Sequence, residues 1–267
     1  MVTKVKVVRK SKLTDPARPY VVALDVTSSG ISVARLMDGN PNVRAEWVAG
    51  ISSAGTSHTV SSTLHRSQTL VRRVADLITD VRGDRVRPTL VVMVKPYWKV
   101  PAQDPSAGRR IGVWYLLASE LDRLGIPTAE VPIHTVSRWI GSGSRMSQDA
   151  FGDIAKKIDI YLPDVTPRAA VPTLDERTVG QYRQTTVAVV AAAAMVAGIE
   201  TGVPVTQERL NILGGYSDEH AREKSDGGVV FPHGRKPPRT VDIWKMRNSD
   251  PSPWLDKRNS DTTDASA

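Results

Sequence analysis

The hydrophobic pattern changes its period once along the chain, and this change limits the folds that the chain can form. Residues 20–26, 31–37 and 44–51 are short β-type runs, separated by turn sequences at 27–30 and 39–42. From residue 63 onwards, segments with helical spacing alternate with short β-branched runs. A strand meander followed by alternating helices and strands predicts an α/β fold with a mixed sheet and helices on its faces.

The second part of this pattern predicts the remaining elements. We expect helices at 63–81, at 108–124 with Gly125 as its stop, from a Ser147 cap to about 161, and at about 175–200. We expect strands at 89–94 and 127–133, a loop at 135–146 and a proline-containing connection at 163–172. The β-branched run at 89–94 is typical of a strand that is buried on both faces.

The two ends of the chain differ from its centre in composition. Residues 1–18 are polar and basic and predict a flexible arm, so the folded domain should span 19–202. In the tail, 203–267, we expect one short helix at 207–213 and mostly disorder over 216–267. Trp244 and Trp254 are unusual in such a tail, and two interpretations stay open: they anchor a protein partner, or they dock back onto the domain.

Charge and residue usage restrict the classes of function. The formal net charge of +8 favours a polyanionic partner such as nucleic acid, although a merely basic protein would show the same charge. The absence of cysteine excludes disulfides, thiolate metal sites and a cysteine nucleophile. The longest apolar run, 187–198, is too short to span a bilayer. We therefore expect a cytoplasmic protein that has no membrane partner.

The segment 108–151 carries specific motifs. It contains Arg110-x-Gly112-x-Trp114-Tyr115, then the strand-like run at 125–132, a Gly141-x-Gly143 loop and Asp149. This combination resembles the RuvC-like Holliday junction resolvases of actinobacteria and their phages, which are members of the RNase H-like superfamily. The resemblance covers about residues 19–200 and implies an RNase H-like, RuvC-type fold. One departure is Gln148, where that family usually has lysine.

The resemblance implies a metal-dependent DNA endonuclease, but most of the required carboxylates are missing. Such enzymes hold two divalent metals with four carboxylates. Asp25 stands at the first position, as a remnant catalytic residue; the alternative is a solvated aspartate that caps the turn at Ser28 or Ser29. Val94, or Lys95 after a one-residue slip, stands where a glutamate belongs.

The last helix also lacks its two acids. Matching its apolar half places Tyr182 and Thr185, or Thr185 and Ala188, at these positions. Asp175 and Glu176 are displaced acids about two turns earlier, and they could serve only with a different helix start. We therefore expect no metal site and no cofactor, whereas an active enzyme with displaced ligands would need magnesium or manganese.

Basic and aromatic residues near the expected cleft are candidates for binding nucleic acid. Lysine and arginine neutralise phosphates, and aromatic rings stack on bases. Packing of the aromatic rings and ordinary solvated helix faces are the competing explanations. The candidates are Lys95, Tyr97, Trp98, Lys99, Arg109, Arg110, Arg138 and Arg145.

Three hypotheses on function stay open. The first is a pseudo-resolvase that binds DNA, including branched DNA, without cutting it. The second is an active junction endonuclease that uses Asp25, Asp175 and Glu176. The third is a structural or adaptor protein whose tail binds a protein partner. The resemblance alone also implies a homodimer.

Overall fold

The structure is a computed structural model that describes residues 13–27, 29–50, 59–96, 107–141, 150–162, 166–167, 176–215, 228–230 and 237–249. Within α4 and α5 some residues are described by their backbone alone. In chain order the elements are β1 (Tyr20–Val26), β2 (Gly30–Met37), β3 (Asn40–Ala49), α1 (Val60–Thr79), β4 (Asp80–Val81), β5 (Asp84–Arg85), β6 (Leu90–Val94), α2 (Ala107–Arg123), β7 (Thr128–Val131), α3 (Ile133–Ile140), α4 (Ala150–Tyr161), β8 (Thr166–Pro167), α5 (Glu176–Ala197), α6 (Gln207–Gly214) and α7 (Val241–Ser249).

The main sheet has the strand order β7-β6-β1-β2-β3-β8. β1, β2 and β3 form the predicted antiparallel meander, while β6 and β7 add to β1 in parallel. β8 pairs in parallel with the outer edge of β3. This mixed sheet carries helices on both faces, so the predicted α/β fold class, a mixed sheet flanked by helices, is confirmed.

Alternation along the central strands divides the core into two layers. Val21 and Ala23 of β1 pack in the layer that contains α5, α3 and α4. Val22 and Leu24 point the other way, into the layer formed with α1 and α2. All five residues of β6 are buried, as expected for a parallel strand covered on both faces. Among the described helices, none is both long enough and apolar enough to cross a membrane.

Two sequence predictions about local structure are wrong. The predicted turn at 39–42 is shorter, because β3 already begins at Asn40 and only Asp38 and Gly39 connect the strands. Gly39 has a positive φ of 72°, which glycine adopts at no steric cost. The predicted loop at 135–146 is helical as far as Ile140, because Val136, Trp139 and Ile140 bury one side of α3. Residues 142–149 lie outside the described residues.

The tail is predicted to be mostly disordered over 216–267, and the structure describes two stretches of it, 228–230 and 237–249, that contact the domain. The backbone of Val230 exchanges two hydrogen bonds with Glu130 at the edge of β7. Trp244 on α7 is buried, and its Nε1 donates a hydrogen bond of 2.8 Å to the carbonyl oxygen of Met195. Trp244 therefore docks back onto the domain. Trp254 lies outside the described residues.

Candidate functional site

Asp25 lies at the carboxyl end of β1 and is almost fully buried. The strand alternation places it on the same face as Ala23, towards the layer that contains α5. Its exposed fraction is 8%, so the alternative of a solvated turn aspartate is wrong. The turn that follows is held by Thr27, whose Oγ1 accepts hydrogen bonds from the backbone N–H groups of Ser29 and Gly30. Ser28 lies outside the described residues.

Burial controls the protonation of Asp25. Loss of solvent raises the pKa of the Asp25 carboxyl from 3.8 to about 7, against an opposing effect of the Arg110 guanidinium. In a cluster of metal-binding carboxylates, mutual repulsion would be a major cause of such a shift. Among the described groups, desolvation raises this pKa and one cation lowers it, and the net value of about 7 keeps the carboxyl largely protonated below neutral pH.

The helix α2 brings the Arg110 guanidinium close enough to Asp25 for its charge to lower the pKa of that carboxyl. Trp114 Nε1 donates a hydrogen bond of 3.0 Å to the carbonyl oxygen of Val94, which fixes α2 against the end of β6. Arg110 precedes Trp114 by four residues and therefore lies on the same side of the helix. The Arg-x-Gly-x-Trp motif thus brings a guanidinium to the strand end that carries Asp25. The sequence suggested Arg110 only as a phosphate contact.

The structure separates the two candidates for the missing glutamate. The last register pair between β1 and β6 joins Leu24 and Met93, so Asp25 and Val94 are the next residues side by side. Val94 is buried in the same layer as Ala23. Lys95 is exposed, and its Nζ lies 4.0 Å from Glu130 Oε1. A hydrocarbon side chain, rather than the lysine, therefore neighbours Asp25.

The helix α5 contributes hydroxyl groups to this layer. Thr185 and Thr186 are buried, and Thr185 Oγ1 has no hydrogen-bond partner among the described residues. Ala188, the alternative position, is also fully buried. The side chains of Tyr182 and Glu176 and the whole of Asp175 lie outside the described residues. The displaced-acid hypothesis is therefore untested by the geometry.

The described donor set does not fit a pair of divalent metals. Magnesium prefers several oxygen ligands, and two-metal sites need bridging carboxylates. Nowhere in the described part of the chain do three histidine, aspartate or glutamate side chains converge in a way that could hold a metal ion. Asp25 instead faces a guanidinium and lies beside a valine.

Several candidate nucleic-acid contacts lie near the carboxyl ends of the parallel strands. Arg109 is exposed in the first turn of α2, and Lys95 is exposed just after β6. Arg138 is exposed on α3, the helix that begins directly after β7. Because β1, β6 and β7 are parallel, their ends meet at one edge of the sheet. The other four positions named above (Tyr97, Trp98, Lys99 and Arg145) lie outside the described residues.

Comparison with known proteins gives a limited result. No protein-family model matches the sequence, and no curated protein matches it. The fold is similar to a solved structure of Thermus thermophilus RuvC in complex with a Holliday junction substrate, at 13% identity and a TM-score of 0.43, over 66% of this chain and 96% of that one. It is also similar to a second Thermus thermophilus RuvC structure, at 11% identity and a TM-score of 0.42, with the same coverage.

Proposed function

We propose that the chain is a RuvC-like pseudo-resolvase, of the type found in actinobacteria and their phages, that binds DNA and does not cleave it. The observation that carries this proposal is the surroundings of Asp25. A buried carboxyl that faces Arg110 and lies beside Val94 is a poor ligand for a metal pair. The proposed site of action is branched DNA, suggested by the sequence resemblance, in the cytoplasm, suggested by the residue usage of the chain.

The chemistry supports binding without cleavage. In-line hydrolysis of a phosphodiester by this class of enzyme uses two metals to stabilise the attacking and leaving oxygens. In the described part of the chain no three histidine, aspartate or glutamate side chains converge, so two dications would lack the oxygen ligands they require. The exposed cations at the same sheet edge, Lys95, Arg109 and Arg138, are suited to phosphate groups.

Two further proposals concern partners: a second copy of the chain, and a protein that binds the tail. Tyr115 is 57% exposed on α2 and packs edge-on against Trp114, so it offers an aromatic surface for a second copy. The adaptor hypothesis is less favoured, because Trp244, one of the two tail residues that motivated it, is buried within the domain.

The first experiment measures binding of a fluorescent four-way junction and of a linear duplex. We expect affinity to fall steeply with salt, since each phosphate contact releases condensed counterions. Each of two variants, Arg109→Gln and Arg138→Gln, should weaken DNA binding. Each should also reduce by about one the steepness with which the logarithm of the binding constant falls with the logarithm of the salt concentration. Lys245→Gln, which removes an exposed charge on α7, is the charge-matched control and should bind like wild type.

The second experiment asks whether the bound junction is cut. After incubation with magnesium or manganese we expect retained and intact DNA. Cut products that disappear in Asp25→Asn would establish the active-enzyme alternative. Affinity for DNA no higher than that of a neutral control protein at modest salt would refute the proposed function altogether.

A further inference from the structure

A cavity lies at the other end of the sheet from Asp25. Its volume is about 70 Å³, and it is enclosed by the amino end of β1, the β2–β3 hairpin and the β4–β5 hairpin. That is more than twice the share of liquid volume that one water takes, about 30 Å³. Its polar lining comes from Tyr20, Arg35, Asn40, Arg44, Asp80 and Arg82.

The hydroxyl of Tyr20 is the buried group that needs explanation. The side chain is 3% exposed, and its oxygen makes no well-formed hydrogen bond. Burial raises the pKa of Tyr20 to about 12, with the Arg35 guanidinium acting in the opposite direction, so the hydroxyl keeps its proton at neutral pH. Arginine only donates, so Arg35 gives that proton no acceptor. A buried hydroxyl without an acceptor costs free energy that an oxyanion would offset.

The cations around the cavity exceed the anions that could neutralise them. Arg35 is ion-paired with Glu46, and its Nη1 donates to the carbonyl oxygen of Leu77. Asp80 accepts a hydrogen bond from the backbone N–H of Gly83. Arg44 and Arg82 both line the cavity, and in the part of the chain that the structure describes neither has a carboxylate partner.

The register of the sheet explains why these side chains converge. Tyr20 pairs with Met37, and Arg35 pairs with both Val22 and Arg44. Tyr20, Arg35 and Arg44 therefore share the face that carries α1. Arg82 reaches the same place from the turn between β4 and β5, where Arg82 and Gly83 both have positive φ, as tight hairpins of this kind require.

We propose that this cavity is an oxyanion site that takes a phosphate group. The Tyr20 hydroxyl would donate to one phosphate oxygen, and Arg44 and Arg82 would neutralise its charge. A groove of about 800 Å³ shares Asn40 and Arg82 with the cavity and leaves room for the rest of a phosphoester. Its charged lining combines three arginines with three aspartates: Arg18, Arg82, Arg85, Asp15, Asp38 and Asp84. Inorganic phosphate and a DNA phosphodiester share this chemistry. The proposal does not depend on the proposed function of the Asp25 edge.

The test is calorimetric titration of the full-length protein with inorganic phosphate at neutral pH and constant ionic strength. We expect saturable binding at one site. Arg44→Gln and Arg82→Gln should each weaken it at least tenfold, which is the usual effect of losing a charge-assisted contact. Lys245→Gln, the charge-matched control, should leave it unchanged.

Tyr20→Phe gives the sharper result because we expect it to lower the affinity for phosphate and to raise the thermal stability. It should weaken phosphate binding several-fold, and in phosphate-free buffer it should raise Tm by about 2 °C, since the unsatisfied hydroxyl is gone. Phosphate binding by Tyr20→Phe and Arg44→Gln equal to that of wild type would overturn the proposal, as would no saturable binding at all.

The source of the phosphate is distinguished by competition. If the site takes a DNA phosphodiester, saturating duplex should displace bound phosphate, and Arg44→Gln should weaken DNA binding. If it takes free phosphate, DNA and phosphate should bind together. Both results can be told apart from a failure of the proposed function. That function is tested separately, by DNA binding of Arg109→Gln and Arg138→Gln at the opposite edge of the sheet.

Discussion

Replacing Asp25 with asparagine should stabilise the protein at neutral and alkaline pH. Asparagine has nearly the shape of a protonated aspartate but never carries a charge. The folded protein raises the pKa of Asp25 from 3.8 to about 7 because the carboxyl is buried. This difference corresponds to about 4 kcal/mol of free energy of unfolding, as an upper bound.

The direction of the pH dependence follows from proton binding. Below about pH 4 both the folded and the unfolded states hold the proton, so the carboxyl adds no pH dependence. Between about pH 4 and pH 7 the unfolded state has released the proton while the folded state still holds it. The contribution of Asp25 to stability therefore falls as pH rises through this window, and it is constant above about pH 7. In Asp25→Asn this loss of stability with rising pH should be absent, because asparagine does not titrate.

The assay is urea denaturation of wild type and Asp25→Asn at several values between about pH 5 and pH 8. We expect the advantage of Asp25→Asn to grow with pH and then to level off. Asp122→Asn, which changes an exposed carboxylate on α2, is the isosteric control and should show no such growth. A difference between wild type and Asp25→Asn that stays constant across this range would refute the reasoning.

Four further substitutions, at three positions, test the packing of the core by urea denaturation. Trp244→Ala should lower the free energy of unfolding by about 3 kcal/mol, and Trp244→Phe by about 1 kcal/mol, because α7 is anchored by a buried indole that also donates to Met195; no loss would mean that α7 is not part of the core. Arg209→Met should cost about 3 kcal/mol, since it leaves the carbonyl oxygens of Trp139 and Pro204 without their donor. Thr185→Val should be neutral or stabilising by about 1 kcal/mol, because the buried hydroxyl has no described partner; a marked loss would indicate a partner for that group.

The sequence predicted the order of the central elements because periodicity reports it directly. β1 and β2 are short β-type runs separated by turn residues, and β6 is a continuous apolar run rich in valine. The helix α3 was missed because eight residues hold only two turns, and the glycines beyond Ile140 favoured a loop. The helix α7 was missed because one buried tryptophan sets no periodicity.

The candidate site was only partly predictable, because contacts between distant segments decide its chemistry. Asp25 was identified from its position near the end of β1, but its burial and its closeness to Arg110 depend on how the folded chain packs. The choice between Val94 and Lys95 could have been made from strand alternation once the register with β1 was known. The cavity at Tyr20 gave no signal in the sequence, because its lining comes from one strand end and two hairpins that meet only in the folded chain.

We propose that the surroundings of Asp25 do not hold a pair of divalent metals. Calorimetric titration of manganese into the wild-type protein above pH 7, where Asp25 is ionised, tests it most directly. We predict no saturable binding at millimolar manganese and identical titrations for wild type and Asp25→Asn. Saturable binding of paired ions that is lost in Asp25→Asn would contradict the account and would identify the chain as a metal-loaded nuclease.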